Sequence, residues 1–241
     1  MSSYDFDFFV IGGGSAGVRA ARIAAVHGAK VGIAEERYMG GTCVNVGCIP
    51  KKLLAYSAGF GLGFADARGY GWTTGRPEFS WPTLIRNKDA EIARLNGIYR
   101  RLMDQVGVRI WDARARLADP HTVAIDGHGA VTADTILIAT GGWPFVPDIP
   151  GKALAITSNE AFHLPELPRR VLVVGGGYIA LEFAGIFNGL GSEVTLMHRG
   201  VAILSHFDHE LGPALLHEMH AHGIKTRLPC VVERLDKSAG G

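Results

Sequence analysis

Two cysteines five residues apart, Cys43 and Cys48, sit in the run Gly40-Gly41-Thr42-Cys43-Val44-Asn45-Val46-Gly47-Cys48-Ile49-Pro50-Lys51-Lys52. In an undistorted helix that separation gives a rise of about 7.5 Å and opposite faces. A disulfide needs Cα atoms within roughly 4.4–6.8 Å. A bond between them therefore requires an irregular segment, and Gly47 can supply one. Pro50 suits the first turn of a following helix. Lys51 and a helix N-terminus would both favour thiolate. Three readings stand at this point: unconnected buried cysteines, part of a metal site, or reversible disulfide chemistry. The pair offers a metal two ligands, and no second pair completes a zinc site. The dinucleotide motif beside it favours redox work.

That motif is Gly12-x-Gly14-x-x-Gly17. Such spacing permits a tight turn at Gly12, close approach of a pyrophosphate at Gly14, and close helix–strand packing at Gly17. Glu35 follows Gly17 by 18 residues, near the ~20 expected for a carboxylate on a ribose hydroxyl. The bland alternative is a glycine-rich helix start with a solvated Glu. A second copy, Gly175-x-Gly177-x-x-Ala180, begins 163 residues later. The same count from Ala180 reaches His198 and then Arg199. No carboxylate stands there for a free ribose 2′-hydroxyl, and a cation suits a 2′-phosphate. His206 adds a second contact if protonated; an exposed loop Arg is the alternative.

The elements that must carry these residues follow from pattern. Phe6–Ile11 and Val171–Val174 read as buried strands feeding the two glycine turns. Helices are expected over Ser15–His27, with Ala16, Ala20, Ile23 and Ala24 inward, and over Tyr178–Leu190, with Ile179, Phe183, Ile186 and Phe187 inward. Second strands follow at Lys30–Ala34 and Glu193–Met197. A long helix runs from Ser80-Trp81-Pro82 to about Val106, with Leu84, Ile85, Ile92, Leu95, Ile98 and Leu102 as its core face. Val108–Ala118, Thr122–Ile125 and Ile136–Thr140 read as strands. Asp208–His222 reads as a helix and Cys230–Leu235 as the start of a strand. The fold class is α/β, with two Rossmann-like dinucleotide-binding domains: 1–150 carries the redox pair, and 151–241 is incomplete.

Composition narrows the class. The 241 residues are 47% hydrophobic and 20% charged, as in globular proteins. Lys plus Arg total 24 against 23 for Asp plus Glu, which gives no basis for a nucleic-acid or membrane surface. No uninterrupted apolar run reaches transmembrane length. The Met1–Asp7 start lacks the basic and apolar regions of a signal peptide, so the expected home is cytoplasmic. His217-Glu218-Met219-His220-Ala221-His222 lacks the H-E-x-x-H metal spacing and reads as the polar face of a surface helix. Cys230 reads as a small core residue.

Taken together, Gly41-Thr42-Cys43…Cys48…Pro50-Lys51, Ile138-Ala139-Thr140-Gly141 and Gly175-x-Gly177-Tyr178-Ile179-Ala180-x-Glu182 resemble the class I pyridine nucleotide–disulfide oxidoreductases over essentially the whole chain. The resemblance implies FAD on the first unit and a nicotinamide nucleotide on the second, which the Arg199 count makes NADPH. It implies electron flow through a Cys43–Cys48 disulfide to glutathione disulfide. Cys48 is then the flavin-proximal thiolate and Cys43 the interchange thiol. Lys51 and Glu182 form an ion pair that tunes the flavin, and Tyr178 covers the flavin face. Ser15, Ala16, Gly41, Thr42, Ala115, Thr140, Gly141 and Ile179 join the cofactor contacts. Arg19, Arg22 and Tyr99 border the substrate; surface charge and a core role are their plain alternatives. The family's His–Glu acid–base pair and its C-terminal dimerisation domain are not recognisable here. The sequence therefore reads as an N-terminal portion of a homodimeric enzyme, of low activity by itself. An NAD-linked dihydrolipoamide dehydrogenase and a non-catalytic nucleotide-binding fragment are the rival readings.

Overall fold

A computed structural model describes residues 4–73 and 75–238. Met1–Ser3, Thr74 and Ala239–Gly241, which include the chain ends read above, lie outside the described residues. The chain divides into two compact units, 1–50 with 89–143 and 51–88 with 144–241.

The first unit is built on a six-stranded sheet. Its strands are β1 (Phe6–Ile11), β2 (Val31–Ala34), β3 (Arg109–Trp111), β4 (Ala115–Asp119), β5 (Thr122–Ile125) and β6 (Gly129–Ile138), in the spatial order β3-β2-β1-β6-β5-β4. β1 pairs in parallel with β2 and β6, and β2 in parallel with β3. β4 and β5 extend β6 as an antiparallel meander. Successive side chains alternate across a strand, so neighbours on β1 serve two cores. Phe9, with Phe6, Ile11, Trp111 and Val123, builds one. Val10, with Val18, Ala21, Ile33, Met39 and Met103, builds the other. The second core is roofed by α1 (Ser15–Val26) and by the end of α4 (Trp81–Asp104), whose Tyr99, Leu102 and Met103 pack there. A five-residue helix, α2 (Gly41–Asn45), precedes α3 (Cys48–Ala67).

The second unit holds a three-stranded parallel sheet, β7 (Arg170–Val174), β8 (Glu193–Met197) and β9 (Lys225–Arg227) in that order. α6 (Tyr178–Gly189) and α7 (Leu211–Ala221) follow their strands, and α5 (Ser158–Ala161) opens with a capping box from Thr157 and Glu160. Phe183 stacks on Phe187, and Phe162 lies tilted against Phe183, in a buried aromatic core. Buried Lys88 donates to the Phe162 carbonyl at 2.8 Å, and Trp81 Nε1 to the Leu164 carbonyl at 2.8 Å.

Several expectations need correction. The buried face of α1 is Gly17, Val18 and Ala21, while Ala16 and Ile23 are exposed. Gly17 must face the turn, since a Cβ there would lie 1.9 Å from the Gly12 carbonyl oxygen, and this fixes the helix rotation. Ile179 is exposed at the start of α6, whereas Leu181 and Ala184 are buried. On α4 the deepest residues are Trp81, Lys88, Ile92 and Met103; Leu84, Ile85, Leu95, Ile98 and Leu102 are half-buried. The expected strand Val108–Ala118 splits into β3 and β4, because β3 pairs with β2 and β4 pairs with β5. Residues 230–235 form no strand. Their amides go separate ways: Cys230 N–H to the His198 carbonyl and Leu235 N–H to that of Pro150.

Candidate functional site

In the first unit the chain leaves β1 through Gly12, whose φ of +109° excludes ordinary side chains. A Cβ at Gly12 would lie 2.3 Å from the Ala139 carbonyl oxygen and 3.1 Å from the Thr140 nitrogen. The end of β6, with Thr140 and Gly141, therefore abuts the turn. Gly14 caps α1 and has nothing closer to a built Cβ than Gly41 Cα at 3.7 Å. This leaves the helix N-terminus, with Ser15 and Ala16 exposed beside it, open to a pyrophosphate. Glu35 stands just past β2 and is held by backbone. Its Oε2 accepts from Gly13 N–H at 2.7 Å, and its Oε1 from Arg37 N–H at 2.8 Å. A fixed carboxylate at the turn suits a ribose hydroxyl. Arg37 stacks over Trp143 at 4.4 Å. Ala115 packs on the core cluster that contains Ile11 and Ala34.

The segment carrying Cys43 and Cys48 is docked on this same turn. Gly40 N–H donates to the Gly13 carbonyl at 2.8 Å. Gly41 has φ +60°, and a Cβ on it would lie 2.5 Å from Gly14 Cα. Only glycine permits this contact, which sets the start of α2 on the phosphate loop. The irregularity needed between the cysteines is the break between α2 and α3. Gly47 serves there by closeness rather than by an unusual dihedral, since its Cβ would meet the Thr42 carbonyl oxygen at 2.7 Å and Cys43 Cα at 3.1 Å. Both cysteines are present as thiols, near enough for Cys48 to act on the Cys43 proton; Cys48 is exposed and Cys43 half-buried. Burial first, then the neighbouring Cys48 thiol, pushes the Cys43 thiol above the ordinary thiol range, and a hydrogen bond from Ser15 opposes this. At Cys43 desolvation outweighs the donor. Arg19 and Arg22 are exposed on α1, and Tyr99 is half-buried against the core.

In the second unit, β7 runs into Gly175, Gly176 and Gly177, and Gly177 caps α6 with open space where a side chain would stand. The His198 ring takes the place that Glu35 holds in the first unit: a Cβ on Gly176 would come within 2.5 Å of it. Leu204 N–H donates to the Gly176 carbonyl at 2.8 Å, with Leu204 itself at φ +53°. This bond ties the loop bearing exposed Arg199 and His206 to the glycine turn. Among the described residues no acidic group faces the turn from the position that Glu35 occupies in the first unit. Lys51 Nζ meets Glu182 Oε1 at 2.6 Å, with side chains 30% and 37% exposed, and Tyr178 is exposed at the start of α6.

Residues 6–240 match the family described as pyridine nucleotide-disulphide oxidoreductase. The chain belongs to that family. It is 53% identical over 240 residues to a glutathione reductase of Burkholderia cepacia, covering 100% of this chain and 53% of that one. It is 45% identical over 239 residues to a glutathione reductase of Nostoc sp., covering 99% and 52%. Among solved structures, the Cu(II) complex of the HOCl-induced flavoprotein disulfide reductase RclA from Escherichia coli superposes with a TM-score of 0.82 at 27% identity. That match covers 94% of this chain and 50% of that one. The chain thus spans about half the length of the curated relatives it matches.

The reading from sequence missed three contacts of this family member: Asn45 with Asn96, Ser15 with Cys43, and Arg37 with Trp143. None of the three had a local signal, since each joins residues far apart in the chain. Among the described residues no His/Cys/Asp/Glu cluster could hold a metal, and no helix is long and apolar enough to cross a membrane.

Proposed function

We propose that this chain forms the nucleotide-binding and redox-active part of an NADPH-dependent glutathione-disulfide reductase that works in the cytoplasm as a homodimer. The observation that carries the reading is a pair of neighbouring thiols, Cys43 and Cys48, on a segment docked against a dinucleotide turn. FAD and NADPH, when bound, supply the electron pair that opens the Cys43–Cys48 disulfide. Gly12, Gly14, Gly17 and Glu35 fit the FAD pyrophosphate and ribose. Gly175, Gly177 and Arg199 fit NADPH, with His198 where a carboxylate would repel the 2′-phosphate. Lys51 held by Glu182 and the exposed Tyr178 are the residues assigned to the isoalloxazine ring.

The thiol chemistry then balances on the chain's own sulfurs. Cys43 Sγ, as thiolate, attacks one sulfur of glutathione disulfide; a mixed disulfide forms and one glutathione leaves, taking a proton. Cys48 Sγ attacks Cys43 Sγ, releases the second glutathione with its proton, and closes the internal disulfide. Two electrons pass from the dithiol to the substrate. Arg19 and Arg22 supply cations toward the carboxylates of glutathione, and Tyr99 borders the same substrate.

The test is NADPH oxidation driven by glutathione disulfide in the full-length protein. Cys43→Ser and Cys48→Ser should each abolish turnover while the flavin stays bound. Persistence of glutathione turnover in both variants would refute the assignment.

A further inference from the structure

Asn45 and Asn96 take no part in the chemistry above, yet they are placed with care. α2 has five residues, too few to hold itself together by its own hydrogen bonds. Asn45 ends it and is 5% exposed. Its Nδ2 donates to the Gly41 carbonyl at 2.9 Å and the Met39 carbonyl at 3.3 Å. Those two acceptors fix the amide orientation and leave Oδ1 to accept from Asn96 Nδ2 at 3.0 Å. Asn96 comes from α4, where Ile92, Asn96, Tyr99 and Met103 follow the spacing of one helix face. Ile92 and Met103 on that face are buried. The remaining Asn96 oxygen is buried, and among the described residues no group donates to it. A buried acceptor left unmet is a net cost, and an apolar residue in this stripe would avoid it. Stability alone therefore does not account for the amide.

Its position does. Asn45 lies two residues from Cys43 on the same short helix, and Asn96 joins that helix to α4. We infer that the Asn45–Asn96 amide pair is a positioning clamp that keeps Cys43 in bonding range of Cys48 in the dithiol form, and so sets the dithiol–disulfide balance. Two thiols held in place have a high effective concentration toward each other. Loosening one of them lowers it and shifts the equilibrium toward dithiol. The inference rests on the reading of Cys43 and Cys48 as a redox pair.

The experiment equilibrates the purified chain in glutathione buffers of graded ratio. One protein disulfide and two glutathione thiols give the protein dithiol and one glutathione disulfide, so two electrons and two protons reach Cys43 and Cys48. Acid quenching, alkylation and mass spectrometry of the peptide carrying both cysteines give the oxidised fraction. Asn96→Asp is isosteric and turns the donor into an acceptor facing Asn45 Oδ1; Asn96→Ala removes the contact without adding charge. Both should move the equilibrium constant toward dithiol by roughly tenfold, which is about 30 mV for a two-electron couple. Val18→Ala, a core truncation in α1, should lower stability and leave the constant unchanged. Constants within twofold of the parent in both Asn96 variants would overturn the clamp. So would failure of both to fold, which would assign the amide to stability alone. If the parent chain itself forms no Cys43–Cys48 disulfide in any buffer, the redox reading fails first.

Discussion

Cys43 shows how one residue's surroundings decide its chemistry. Burial and the adjacent Cys48 hold its proton, while the Ser15 hydroxyl works against them. For an acid, a raised pKa means less thiolate at neutral pH. Alkylation of Cys43 in the reduced protein should therefore climb with pH through a midpoint above that of an ordinary thiol. Ser15→Ala should move the midpoint further up. Rates of iodoacetamide labelling, resolved by peptide, measure both; a Cys43 midpoint at or below the ordinary thiol value would contradict this account. Gly17 makes a similar case sterically. Its missing side chain makes room for a backbone carbonyl 1.9 Å from the Cβ position, and backbone yields less readily than a side chain. Gly17→Ala should cost at least the usual overpacking penalty of about 1–3 kcal/mol, read from urea unfolding.

At the scale of elements, the two glycine turns are variations on one device. Each sits between a strand and a helix, and each has the residue after the next strand packed on its middle glycine. In the first unit that residue is Glu35, which accepts the Gly13 amide proton. In the second it is His198, whose ring lies on Gly176. Leu204 then fastens the cationic loop to the turn. Arg199→Glu should therefore lower affinity for 2′,5′-ADP at least tenfold and leave 5′-AMP much less affected, by calorimetry on the purified chain; equal losses for both ligands would remove Arg199 from phosphate selection. These turns were legible in sequence because glycine spacing and strand length are local. The rotation of α1 was not. Ala16, Ala20, Ala24 and Ile23 look as apolar as the true inner face, and only the Gly17–Gly12 contact decides between them. Val231, Val232 and Leu235 suggest a strand by propensity, but no neighbouring strand takes their amides. The Asn45–Asn96 bond joins residues 51 positions apart, and no local pattern could pair them.

Across the whole molecule, the fold class and both dinucleotide motifs follow from the order of strands, glycine turns and helices. What the order left open was where each side chain would find a partner. Lys51 and Glu182 are 131 positions apart yet meet at 2.6 Å. Family resemblance anticipated that pair, whereas neither residue's local pattern points to the other. Both side chains keep about a third of their exposure, so Glu182→Gln should change stability by less than about 1 kcal/mol. A loss of hydride-transfer rate in the full-length enzyme well beyond that small stability change is the expected signature of a functional ion pair.

The stacking of Arg37 on Trp143, beside the carboxylate assigned to the adenosine ribose, gives the chain a built-in optical probe. Indole emission responds to whatever quenches or shields it, and this ring is 65% exposed. Titrating FAD into the apoprotein should dim the tryptophan signal in step with occupancy, and Trp143→Phe should remove most of the change while the other three tryptophans glow on. Flavin loading could then be followed in real time without a label.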